Sequence, residues 1–157
     1  MNIISKSLCA VLWAAVVVCA SCTTVKDLPP VDLSAPGWVV HSGQAVWKPG
    51  HDRPELTGDL VLATNNTGDC FVQLLKTPFP LVTAQNVSGA WQIEFGANEH
   101  HWQGRGMPPS RFVWFHLSEA LSGAPLTGNW RREKSPDGSF KLQNTSTGES
   151  LEGQFFP

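Results

Sequence analysis

The chain has 157 residues, with 11 Lys and Arg against 13 Asp and Glu, a formal net charge of −2, and seven Trp and eight Phe but no Tyr. That length supports one packed core and is too short for two once a leader is removed, and the faintly acidic balance excludes a nucleic-acid binder that tracks phosphates with concentrated Lys and Arg. An aromatic content of Trp and Phe alone suits apolar burial and lipid contact better than acid–base chemistry.

Residues 1–21 carry one charged side chain, Lys6, then the apolar run Leu8–Val18 and the small residues Ala20 and Ser21 before Cys22. The run is short for a membrane-spanning helix and right for the apolar stretch of an export signal. Ala20-Ser21-Cys22 resembles the cleavage box of bacterial lipoprotein signals, with Cys19 where Leu is usual. The resemblance implies that Cys22 becomes the lipidated first residue, with membrane lipid as its partner; an ordinary secretory leader cut nearby is the other reading. Burial of acyl chains at about 0.8 kcal/mol per CH2 makes such an anchor durable once more than one chain is attached. Cys19 and Cys22 spell C-x-x-C inside a processed leader, so no redox centre is expected from them. Cys70 is then the one free thiol, and with no basic neighbour in sequence its expected role is packing.

Residues 22–36 contain Pro29, Pro30 and Pro36 and read as an extended, proline-rich tether holding a single β-rich domain, residues 37–157, off the membrane. Trp38–Trp47 reads as a strand or a bent pair broken near Ser42-Gly43, and Leu56–Thr64 as the next strand. Asn65-Asn66-Thr67-Gly68 is a turn before a strand over Cys70–Lys76. Pro78 and Pro80 bracket Phe79, which forces a turn or edge excursion, and Leu81–Gln85 is a short strand ahead of the turn at Ser88-Gly89. Trp91, Ile93 and Phe95 alternate with Gln92 and Glu94, the period-two mark of a strand with one buried and one wet face.

Beyond a turn at Gly96-Ala97-Asn98, Glu99–Arg105 pairs back. Ser110 is a candidate N-cap for one helix over Arg111–Ser122, with Val113, Leu117, Ala120 and Leu121 at helical spacing and a stop at Gly123 and Pro125; a strand through Phe112–Leu117 is the alternative. Trp130–Lys134, Ser139–Asn144 and Glu149–Phe156 complete the strands. The predicted fold is mainly β: a curved antiparallel sheet or incomplete half-barrel covered by one helix at about 111–122. The helix and the Trp91–Phe95 strand supply the candidate lining of an apolar cleft: Trp91, Ile93, Phe95, Trp114, Leu117 and Leu121.

Catalytic and metal-binding patterns are thin, and no catalytic residue, cofactor or metal is expected. Glu99-His100-His101 is the densest cluster, but adjacent strand residues point to opposite faces and cannot easily grip one ion. Glu94 and Glu99 straddle a turn as solvated charges, and His41-Ser42 lacks a locatable orienting acid. What remains is apolar surface: Phe79 and Leu81 stand at a proline-bracketed reversal where Asn, Asp or Gly is usual, and either project as a loop or fold back on the core.

Leu74–Leu81, Thr83–Phe95 and Trp114–Pro125 follow the order strand and loop, hairpin, then helix ending in Ala120-Leu121-Ser122-Gly123-Ala124-Pro125. In that order the chain resembles the LolA/LolB lipoprotein-localisation family, and the leader points to LolB-like members. It departs from them in its proline-rich run where they carry an amphipathic helix. The resemblance implies a curved half-barrel whose greasy interior holds acyl chains, with Phe79 and Leu81 in the loop that aids insertion. The function expected is therefore an outer-membrane lipoprotein, facing the periplasm and not an enzyme, that binds lipid or acylated protein. The alternative is a structural or interaction lipoprotein of the envelope with a filled small barrel and no guest.

Overall fold

The computed structural model describes residues 27–96 and 100–157. Cys22, the leader and Glu99 lie outside the described residues. Nine strands form one sheet: β1 (Trp38–Lys48), β2 (Leu56–Asn65), β3 (Cys70–Lys76), β4 (Phe79–Val87), β5 (Ala90–Phe95), β6 (His100–Arg105), β7 (Trp130–Lys134), β8 (Ser139–Asn144) and β9 (Ser150–Phe155). Their order is β6-β5-β4-β3-β2-β1-β9-β8-β7, and every neighbouring pair is antiparallel. A six-strand meander and a three-strand meander thus join through β1 and β9, and the sheet does not close. Between them a 3-10 turn (Val113–His116) runs into the helix α1 (Leu117–Ser122).

Register makes one face dry. Ala45, Leu60, Leu62, Val72, Leu74, Val82, Ala84 and Ile93 point to the same side, and with Leu142 and Leu151 they pack into one cluster with Val113, Trp114, Leu117 and Ala120. A sheet that wraps its own helix in this way is curved, and the helix occupies the concave side. Six residues are too few for a helix to persist alone, so α1 exists because Leu117 and Ala120 are buried. Its end is fixed twice. Gly123 adopts φ 83°, a left-handed conformation suited to glycine, and donates its N–H to the Glu119 carbonyl. Arg132 from β7 then donates to the carbonyls of Glu119, Ala120 and Ala124 at 3.4, 3.0 and 3.2 Å, placing a cation on the negative end of the helix.

One local alternative is decided and two expectations change. β1 runs unbroken through Ser42-Gly43, because Gly43 serves a close approach: a Cβ there would collide with the Gln154 carbonyl of β9. The single helix over 111–122 is instead a 3-10 turn followed by a short helix. Phe112 is extended (φ −93°, ψ 116°), and the four residues Val113–His116 bury every side chain in a tight turn that a longer regular helix would swing apart. Ser110 is not the N-cap. Its carbonyl instead accepts from Trp130 Nε1 at 2.6 Å and from His116 Nε2 at 2.9 Å, while His116 Nδ1 lies 3.1 Å from Glu119 Oε2, so the loop after Pro109 is knotted to β7 and α1.

Candidate functional site

The loop residues separate. β3 and β4 are joined across a cis Thr77–Pro78 peptide, and Thr77 Oγ1 donates to Asp59 Oδ2 at 3.3 Å. The ladder slips between Leu74 and Leu75, which pair with Val82 and Pro80. Leu81 is the extra residue at that bulge, and it turns onto the core. Pro80 lies before β5 begins to pair at Val82, so its missing N–H interrupts no ladder bond to β5. Phe79 is left at the tip with 71% of its surface exposed. Projection therefore describes Phe79, and folding back describes Leu81.

The six cleft candidates come together, mostly as filling. Ile93, Trp114 and Leu117 are fully buried and Trp91 is 9% exposed. Trp114 meets Trp47 edge-on at 5.2 Å, Trp47 stacks on Phe95 at 5.5 Å, Phe95 meets Trp102 at 5.6 Å, and Trp91 meets Phe115 at 6.1 Å. Gly104 leaves the space that the Trp91 ring occupies. Toward the β6 edge the aromatic layer reaches solvent at Trp102 and Phe112, where the Arg111 guanidinium stands 4.6 Å above the Phe112 ring. The concave side is thus plugged by the chain's own rings along most of its length.

Leu121 behaves differently. Where β9 ends short of β1, a groove of about 450 Å³ opens under α1, lined by Leu62, Leu121 and Phe155 with His41, Thr64 and Ser118 at its mouth. Val39, near the start of β1, and Phe156, just past the end of β9, are each 56% exposed. A second groove of about 500 Å³ lies over Cys70, Phe115 and Met107 at the end of the sheet where β6 leaves.

The titratable groups are dispersed. His100 packs on Trp102 at 5.5 Å on the inner face, whereas His101 on the outer face lies 3.8 Å from Asp27, so the adjacent pair is split across the sheet. Cys70 is buried, and that burial pushes its thiol up to about 11, which keeps it protonated and unreactive at neutral pH. Sequence reasoning missed Glu149. Burial raises its carboxyl from 4.5 to about 7, opposed by the hydrogen bond it accepts from Trp47 Nε1 at 3.0 Å. The signal was a lone acid placed next to the strand that pairs with Trp47. Among the described residues no group of three or more His, Cys, Asp or Glu is placed to hold a metal ion, and no helix is long and apolar enough to cross a membrane.

No protein-family model matches the chain, and no curated protein matches it.

Proposed function

We propose that the chain is a bacterial envelope lipoprotein, held by acyl chains on Cys22 at the outer membrane and facing the periplasm. Its folded domain binds lipid or an acylated protein and catalyses no reaction. The observation that carries this reading is Phe79: a large ring 71% exposed at a hairpin tip, where water-facing turns place small polar residues. The groove under α1 supports it with a volume in the range of about 300–1,000 Å³ typical of small-molecule sites. Because Trp114 and its neighbours fill the remaining interior, that groove takes one chain and not several. The LolA/LolB resemblance of the sequence extends this reading to assistance in lipoprotein insertion.

The test is vesicle binding and acyl-protein handover by Phe79→Glu and Leu121→Glu. Loss of vesicle binding in the first, made in a Cys22→Ala chain so that no acyl group holds it to the bilayer, and of guest retention in the second is expected; unchanged transfer in both ends the proposal. The filled interior favours a second reading, an interaction lipoprotein with no guest. Mass spectrometry of lipids extracted from the purified protein separates the two, since a co-purifying acyl chain belongs only to the first.

A further inference from the structure

We infer that residues 27–36 are a strap seated on the convex face of the sheet, and that its seating sets how far the folded domain stands from its anchor. The seat itself is independent of the proposed tethering; only the distance to an anchor at Cys22 rests on that reading. The convex face of a sheet with one dry side is ordinarily wet. Here Gln85, Gln92 and Ala63 point to it, yet they are 5%, 7% and 0% exposed. The covering is visible in two hydrogen bonds. Leu28 donates its N–H to Gln92 Oε1 at 2.7 Å, and Gln85 Nε2 donates to the Pro29 carbonyl at 3.4 Å.

The chemistry of the two sides matches. Pro29 and Pro30 have no N–H, so this stretch presents few donors, and the two glutamine amides meet one donor and one acceptor of its backbone. Gln92 is oriented for this by its own donation to Glu94 Oε1 at 2.6 Å. Farther on, Val31, Leu33 and Ala35 are half-buried while Asp32, Ser34 and Pro36 are exposed, and the Ala35 N–H donates to the Asp32 carbonyl at 3.2 Å in a turn that ends the strap. Asp32 then accepts from the N–H and hydroxyl of Ser34 and turns the chain toward β1. At the other end Asp27 faces His101 on the edge strand β6.

Seating changes reach. With the strap bound, the chain leaves the domain at Asp27, and position 22 lies within roughly 17 Å of it at about 3.4 Å per extended residue. With the strap free, the last fixed point is Gly37 and the reach grows to roughly 50 Å on the same spacing. The strap is therefore a leash of two lengths, and the short one holds the β6 edge toward the anchor.

Hydrogen exchange on the full chain tests the seat. The Leu28 amide is expected to exchange at least about tenfold more slowly than in the free peptide. Protection should vanish in Gln85→Ala/Gln92→Ala and in Leu28→Gly/Val31→Gly/Leu33→Gly, with β3–β5 amides still protected. The second variant leaves the sheet untouched, so it decides if the first unfolds. Free-peptide exchange at Leu28 in the wild type, or protection retained in the strap variant, overturns the inference. For the leash, a dye on Arg105→Cys in the acylated chain on phosphatidylglycerol vesicles should move away from the bilayer in the strap variant, and equal distances refute it. Intact mass reports separately whether Cys22 is acylated, so a missing anchor and a missing seat give different results.

Discussion

The two faces of the sheet are covered in opposite ways. The concave face is closed mainly by apolar contact between rings and aliphatic side chains, with polar contacts such as Trp47 to Glu149 and Trp130 to Ser110 at its margins and a Trp114 indole N–H that finds no acceptor among the described residues. The convex face is covered over Gln85 and Gln92 by the backbone at Leu28 and Pro29, gripped by the two glutamine amides. Apolar burial is proportional to area and insensitive to angle, so the first covering carries the stability of the domain; the second is specific and weak, because each hydrogen bond replaces one with water. A protein built this way can release one covering and keep the other.

The largest expected effect sharpens the concave side. Trp114→Ala should cost about 3–5 kcal/mol in chemical denaturation, the usual range for emptying a buried aromatic site. Trp114→Phe should cost far less, since it also deletes a buried donor whose lack of a partner costs about 1–3 kcal/mol. A Phe variant as unstable as the Ala variant would mean that the indole N–H has an acceptor.

Next comes the acid at the rim of that face. The folded-state value of Glu149, about 7, lies above its ordinary 4.5, so the folded state holds a proton that the unfolded state has lost between those values. Stability should accordingly be highest below about pH 4.5 as far as this group is concerned, and decline as pH rises to 7, by up to about 3 kcal/mol from the size of the shift. Glu149→Gln should flatten that slope and be the more stable chain at pH 8. An unchanged pH profile in denaturation would remove the residue from the account.

On the convex side Gln92→Ala should cost only about 1–2 kcal/mol, two part-buried hydrogen bonds and little packing. A loss as large as that of Trp114→Ala would erase the contrast between the faces. Phe79→Glu is the smallest: within about 0.5 kcal/mol of wild type in denaturation, as for surface changes generally, while vesicle binding of the non-acylated Cys22→Ala chain falls.

How much of this is legible in the sequence depends on the distance over which each residue's environment is set. The alternation Trp91, Ile93, Phe95 reports its own strand, and the strand and its buried face are as expected. Gln92 reads as wet because nothing near it says otherwise; what covers it comes from Leu28, 64 positions away. The helix is half legible for the same reason. The stop at Gly123 is local chemistry, but the tight turn over Val113–His116 answers to the rings of β1, β5 and β7. At the candidate site, Phe79 stands out because prolines bracket it, and the opposite fate of Leu81 depends on a register slip against β3 that no spacing reveals. Leu121 is separated from the other cleft candidates only by where β9 happens to end.

The order of strands carries a consequence in time. β9 lies between β1 and β8, with Gly43 opposite Phe155, so the last strand to be made is the one that splices the two meanders. Until it arrives, the first six strands have a raw margin at β1 and the floor beneath α1 is missing. Contacts that close so late and across so much chain make assembly slow.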